Sequence, residues 1–323
     1  MQMHHDDPAI QWLLQSVDPS IRYLTLTRLL NEPAGSHRAV RLKHQISNGP
    51  LVRALLHGQR RDGGFGVHPY QKWRGAHWRL ISLVELGIPE GHQQACAAAN
   101  QVLEWLTSEK HRKSISKVNG LTRRCASQEG NALAVCSRLG MADDDRVRLI
   151  AESLIQWQWP DGGWNCDKDE DAHHSSFYES LAPMWGLIEY SRATDDGNAL
   201  KSALRAAELF LKHRLFRSEN TGDVINPQWL RLHYPLYYRY DILQALRIIA
   251  LAGKISDKRA SEALSIVEGK RLQDGRWRPE GYYWLPPGKK GSNVEVVNWG
   301  RRGPNEMITL NALDVLKAAR RIN

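Results

Sequence analysis

A seven-residue turn occurs three times in this chain and constrains its fold more than any other feature. Gln59-Arg60-Arg61-Asp62-Gly63-Gly64-Phe65, Gln158-Trp159-Pro160-Asp161-Gly162-Gly163-Trp164 and Arg271-Leu272-Gln273-Asp274-Gly275-Arg276-Trp277 align position for position, with Arg for the leading Gln in the third. Their first residues are spaced by 99 and 113 positions. The flanking segments carry apolar residues at helical spacing, and the Asp-Gly step interrupts them. The unit is therefore helix, tight glycine turn, polar loop, helix. A unit that recurs along a chain implies a repeat architecture, because each hairpin needs its neighbour to cover its apolar face.

Paired this way, the chain divides into six helical hairpins over 8–31, 36–87, 91–140, 143–191, 197–253 and 257–320. Asp18-Pro19, Asp143–Asp145 and Asp257 supply helix starts, and Gly87, Gly140 and Gly253 supply helix ends. In the fourth hairpin the second helix is expected to start near His173. No β pattern competes, and residues 111–124 read as a basic linker. Six hairpins are enough to close an α6/α6 ring, with the second helix of each pair inside. An open solenoid of stacked hairpins is the alternative. The expectation is a single all-α domain over residues 1–323.

The pattern of Gln, three residues, Gly, one residue and an aromatic resembles the QW repeat of squalene cyclases and of the protein prenyltransferase β subunit. That resemblance implies an α/α toroid of the terpenoid cyclase superfamily. It implies a small-molecule ligand in the barrel cavity, an isoprenoid or a similar apolar molecule with an anionic head, and cyclase-like or prenyltransferase-like chemistry. Full triterpene cyclases carry two such domains, and this chain has room for one. Prenyltransferases require a partner subunit, about which the sequence is silent. A saccharide-active hydrolase or lyase on an α6/α6 barrel, or a binding protein without catalysis, are the other readings. In all of them Gln59 and Gln158 should bond backbone groups at helix ends, with Trp164 and Trp277 packed between hairpins.

Composition narrows the class. No apolar run reaches 18 residues, so no transmembrane helix is expected. The N-terminus lacks a basic region and a cleavage pattern. The four cysteines show no CxxC spacing, which suits a reducing, cytoplasmic compartment. The net charge is +9, but the basic residues are scattered without runs, so nucleic acid is not an expected partner. The 12 tryptophans cluster near the glycine turns, where they either line a cavity or wedge helices together.

If the second helices are inner, their N-termini share one end of the barrel and favour anions there. Tyr23, His77, Trp78, Arg79, Tyr178, Tyr238 and Arg239 fall at that end as ligand-binding candidates. Their ring faces suit a carbocation or a sugar, and their guanidinium groups, with Arg123 and Arg124, suit a diphosphate or a uronate. Cys166, Asp167, His173 and His174 form the densest polar cluster, and Cys125 precedes the neighbouring inner helix. Cys125, Cys166 and His174 are the candidate ligands of a Zn²⁺, with Asp167 as a fourth ligand or a support. The resemblance to prenyltransferases also implies a zinc at this end, although their Asp stands two residues before the Cys. The string Asp167-Lys168-Asp169-Glu170-Asp171 resembles the DxDD acid of class II terpene cyclases, except that Glu170 replaces the last Asp. That resemblance makes Asp167 and Asp169, with His174, the catalytic candidates. The competing readings are a buried thiol at a turn, first-turn carboxylates and a helix cap. Cys96 and Cys136 lie on apolar helix positions and read as core.

Overall fold

The computed structural model describes residues 7–322; the first six residues, which bear on the leader reading, and Asn323 lie outside them. The chain runs through α1 (Pro8–Leu14), α2 (Pro19–Leu24, continued by a π-helical turn over Thr25–Leu29), α3 (His37–Ile46), α4 (Pro50–Leu56) and α5 (Ala76–Glu85). It continues through α6 (Gln93–Thr107), α7 (Glu109–Lys113), β1 (Ser116–Val118), β2 (Leu121–Arg123) and α8 (Ser127–Arg138). The rest is α9 (Asp145–Trp157), α10 (Phe177–Thr194), α11 (Gly197–Lys212), α12 (Ile242–Leu251), α13 (Ser261–Gly269) and α14 (Glu306–Ala318). The fold is all-α apart from one two-stranded hairpin among the described residues. No described helix is long and apolar enough to cross a membrane.

The helices are of two kinds, and the kinds alternate. Every residue of α5 is buried, and α8, α10, α12 and α14 are buried on nearly all sides. In α11 burial follows a stripe, Ala199, Ser202, Ala203, Ala206, Ala207 and Phe210 at helical spacing, joined by Leu209 and Leu211 in the last turn, and α6, α9 and α13 are one-sided as well. A helix covered all round lies inside a second layer; a one-sided helix forms that layer. The covered helices pack in chain order, α5 on α8, α8 on α10, α10 on α12, α12 on α14, and α14 on α2 and its π turn. The closest approach joins α8 to α10. A Cβ added to Gly130 would sit 2.2 Å from the nitrogen of Pro183, and one added to Gly186 would sit 2.4 Å from the carbonyl oxygen of Gly130.

The repeated turns are the joints of this arrangement. In each, the second residue's N–H bonds the carbonyl of the sixth at 2.8 Å (Arg60 to Gly64, Trp159 to Gly163, Leu272 to Arg276). The fifth residue is Gly63, Gly162 or Gly275, at φ 83, 103 and 83°, a region only glycine enters without strain. The leading side chain then reaches onward along the chain. Gln59 Nε2 donates to its own turn at Gly63 and to Gln94 O at the start of α6, at 2.9 and 2.7 Å. Gln158 Nε2 does the same to Gly162 and to Ser202 O of α11, at 2.7 and 2.8 Å. Arg271 bonds its own Gly275 O at 3.1 Å and the α1 cap Asp7 at 2.9 Å. The last turn is thereby tied to the first helix. Trp164 and Trp277 are buried, and their indole N–H groups donate to Leu154 O and Val267 O at 2.9 and 2.7 Å. The first and last pairs also meet through the Arg28–Asp314 ion pair and through Lys317 Nζ on Arg28 O at 2.6 Å.

Two local expectations are corrected. Residues 111–124 are not a plain linker. Asn119 and Gly120, at φ 50 and 78°, turn β1 antiparallel onto β2, with Val118 opposite Leu121. Asn-Gly is the usual two-residue hairpin turn, so the signal was present. The second helix of the fourth hairpin starts at Phe177 rather than near His173. Asp161 accepts from the Ser175 N–H and hydroxyl at 2.7 and 2.6 Å, and Trp164 O accepts from the Ser176 N–H at 2.8 Å. These bonds hold the backbone out of the helix until Phe177.

Candidate functional site

The loop from Asn165 to Ser176 runs beside the strand that leads into α8. Arg123 and Asn165 form a parallel bridge, and the Arg124 N–H bonds Asn165 O at 2.9 Å. This pairing brings Cys125, just before α8, beside Cys166. Glu179, in the first turn of α10, completes the group. The two sulfurs and a Glu179 carboxylate oxygen lie within 4.8 Å of one another. Glu179 Oε2 accepts from the Ser127 N–H of α8 at 3.0 Å, and Oε1 accepts from the Cys166 thiol at 3.8 Å. The carboxylate thus sits between the N-termini of two neighbouring inner helices, where backbone N–H groups favour negative charge. All three side chains are half-buried.

Contact between the thiols sets their electrostatics. The Cys125 thiol is raised, first by its contact with Cys166 and then by burial. Cys166 is lowered by the same contact, against burial and the nearby Glu179 charge. Burial raises Glu179, opposed by the Ser127 N–H. Tyr70 faces the same group; burial raises its hydroxyl, with Gln128 as hydrogen-bond partner and Glu179 and Cys125 close by.

Aromatic rings continue from Tyr70, whose ring centroid lies 4.9 Å from that of Trp78. Trp73 stacks flat on Tyr237 at 3.7 Å between centroids, with Trp78 edge-on to Trp73 at 4.9 Å. Lys72 Nζ donates to the Tyr238 hydroxyl at 3.2 Å and lies 4.7 Å from that ring's centroid. Arg239 lies over Tyr238 and Tyr283 at 5.1 and 4.4 Å. The Tyr178 hydroxyl accepts from the Trp229 indole at 3.0 Å. Tyr178, Tyr238 and Arg239 are half-buried and so remain reachable from solvent.

Other candidates are engaged in internal bonds and packing. His77 and Trp78 are buried, and burial pushes the His77 imidazole down to about 3. Trp78 donates to Tyr70 O at 3.0 Å. Arg79 is buried and spends its donors on the carbonyls of Arg74, Leu55 and His57. Arg124 is bound to Glu129, and Arg123 to Ala172 O. Tyr23, on α2, is half-buried against the core. Cys136 is buried, and burial pushes its thiol up to about 12.

The imidazole and the acidic string are placed elsewhere than expected. His174 is exposed, stacked on His173 at 4.1 Å, and is not a member of the thiol group; Glu179 takes that position. The delayed helix start explains the exchange, because it leaves both histidines on the loop and moves Glu179 into the first turn. Asp167 and Asp169 are exposed, and each caps the N–H two residues on, that of Asp169 and of Asp171, at 3.0 and 2.9 Å. They shape an exposed loop by capping its backbone. Glu179, Tyr70, Gln128 and Lys72 were not legible as site residues. Only the first-turn acid of α10 offered a signal. The sequence matches no protein-family model and no curated protein.

Proposed function

We propose that this chain is a closed α/α toroid, similar to squalene cyclases and prenyltransferase β subunits, and that it binds an apolar ligand with an anionic head, of isoprenoid type. Closure is supported by the packing of α14 on α2 and by the bond from Arg271 to Asp7. The observation that carries the functional reading is the gathering of Cys125, Cys166 and Glu179 beside an aromatic wall, at an end formed by inner-helix N-termini. Helix N-termini and the Lys72 and Arg239 cations suit an anionic head, and the half-buried Tyr178 and Tyr238 faces suit an apolar or cationic body.

The donor set also fits zinc. Two thiolates and a carboxylate make a three-ligand site with a fourth position open, as catalytic zinc sites have. Cys125, Cys166 and Glu179 would hold the metal, their ligand atoms lying within 4.8 Å of one another. A zinc bound there would supply Lewis acidity and lower the pKa of a water or thiol. In the protein's own groups, Glu179 Oε1 accepts from the Cys166 thiol, with the Cys125 sulfur within 4.8 Å of the Cys166 sulfur and of a Glu179 oxygen.

Isothermal titration of farnesyl diphosphate and of an oligogalacturonate into protein purified without chelator tests the reading, with zinc measured in the same sample. Saturable binding of the prenyl diphosphate, weakened about tenfold or more by Glu179→Gln and Cys166→Ser, is expected. Binding of the oligogalacturonate alone would transfer the site to the saccharide class.

A further inference from the structure

The opposite end of the covered helices holds a cavity, which the centre above does not use. It measures about 280 Å³ and is lined by residues from α2 with its π turn, α5, α8, α10, α12 and α14. The lining residues come from the last turns of most of these helices. Arg192 lies 13 residues beyond Glu179 on α10, or about 20 Å along the axis at 1.5 Å per residue. The cavity is therefore remote from the thiols.

Four arginines, Arg28, Arg138, Arg192 and Arg247, face two carboxylates there, Glu85 and Asp314. Two of the four are matched. Arg28 pairs with Asp314, and Arg247 Nη1 pairs with Glu85 Oε1 at 2.7 Å. The other two are not. Arg138 has a loose 3.7 Å contact with Glu189, whose same oxygen already accepts from the Trp185 indole at 3.1 Å. Arg192 donates one bond, to Leu251 O at 2.7 Å. Helix C-termini carry partial negative charge, and an arginine placed there can simply neutralise it. That explanation accounts for the one Arg192 bond and leaves most of the five donors on each guanidinium free. Arg247 adds an independent sign: its Nε is buried and has no partner in the protein.

We infer that this cavity is a binding site for a small oxyanion of charge about −2, a phosphate group or a dicarboxylate, held between the Arg138 and Arg192 guanidiniums. Planar forks bind such groups through paired N–H bonds, a geometry lysine lacks. The volume lies just below the ~300–1,000 Å³ of drug-sized sites, which favours a ligand no larger than a short-chain diacid or a phosphate monoester. Trp185, Ile248 and Leu251 on the same wall suit a short apolar portion.

Isothermal titration of inorganic phosphate and of succinate, in a low-salt buffer free of other multivalent anions, tests this site. Arg138 and Arg192 are exposed side chains, so Arg138→Gln and Arg192→Gln should fold, which circular dichroism checks. Saturable binding of at least one probe is expected, weakened roughly tenfold or more by either substitution and unchanged by Cys166→Ser. The tighter probe identifies the head group. The inference is overturned if the wild type binds neither probe, if both arginine variants bind as the wild type does, or if Cys166→Ser abolishes binding. The first two outcomes leave the thiol-centre proposal untouched; the third would place the anion at the thiol centre.

Discussion

At the scale of residues, the centre is defined by two thiols close enough to interact, beside the Glu179 carboxylate. The Cys125 contact lowers the Cys166 thiol, and burial and Glu179 oppose it. The sign of the pH effect follows. Cys166 should react with iodoacetamide at lower pH than Cys125, with a midpoint below the ordinary value of 9.0. Cys125→Ala removes that contact and should move that midpoint up. At neutral pH the alkylation rate of Cys166 should then fall, by about tenfold for each pH unit of movement. Peptide mass spectrometry after timed labelling reads this directly. Equal rates in the wild type and in Cys125→Ala would mean that the thiols exchange no hydrogen bond in solution. Glu295 shows how far titratable chemistry also extends into loops. It is buried, accepts from the Val296 N–H at 2.6 Å, and burial raises its carboxyl to about 7.

At the scale of elements, glycine decides how near two helices come. Gly130 on α8 and Gly186 on α10 leave no room for a side chain, and the backbones touch through Pro183. A methyl group at position 130 must push the helices apart, because backbone cannot rotate away as a side-chain tip can. Gly130→Ala should therefore cost about 1–3 kcal/mol or more, the range for overpacking a filled core. Gly197, at the start of α11, has nothing within 4 Å of such a methyl. Gly197→Ala should be neutral or slightly stabilising, since alanine is the better helix former. Thermal melts of the pair separate steric from propensity effects. Equal melting temperatures for both variants would show that α8 and α10 do not approach through Gly130.

At the scale of the whole molecule, the question is closure. The chain contributes contacts from its last helix to its first, through Arg28, Asp314, Lys317, Arg271 and Asp7. A compact chain of 323 residues should have a radius of gyration of about 20 Å. Small-angle X-ray scattering should return that value, and adding salt should leave it unchanged, because apolar packing of α14 on α2 and α1 accompanies the ion pairs. A markedly larger radius, or one that grows with salt, would indicate an open stack of hairpins.

The sequence by itself determined the all-α class, the helix–turn–helix units around the repeated turn and the structural role of that turn. Those features are local: an Asp-Gly step, a helical spacing and a turn glycine act within a few residues, and Gln158 and Trp164 could be assigned without knowing their partners. It also pointed to Cys125 and Cys166 as neighbours, and the pairing of Arg123 and Arg124 with Asn165 brings them together. The third member depended on tertiary structure. Asp161 and Trp164 bind Ser175 and Ser176 and delay α10, and this exchanges His174 for Glu179. Spacing along the chain could not reveal that exchange, since the bonds that impose it are made by the preceding turn folded back onto the loop. The arginine-lined cavity lies further still beyond sequence reading. Its residues come from six separate segments, and only the packing of those helices makes them neighbours.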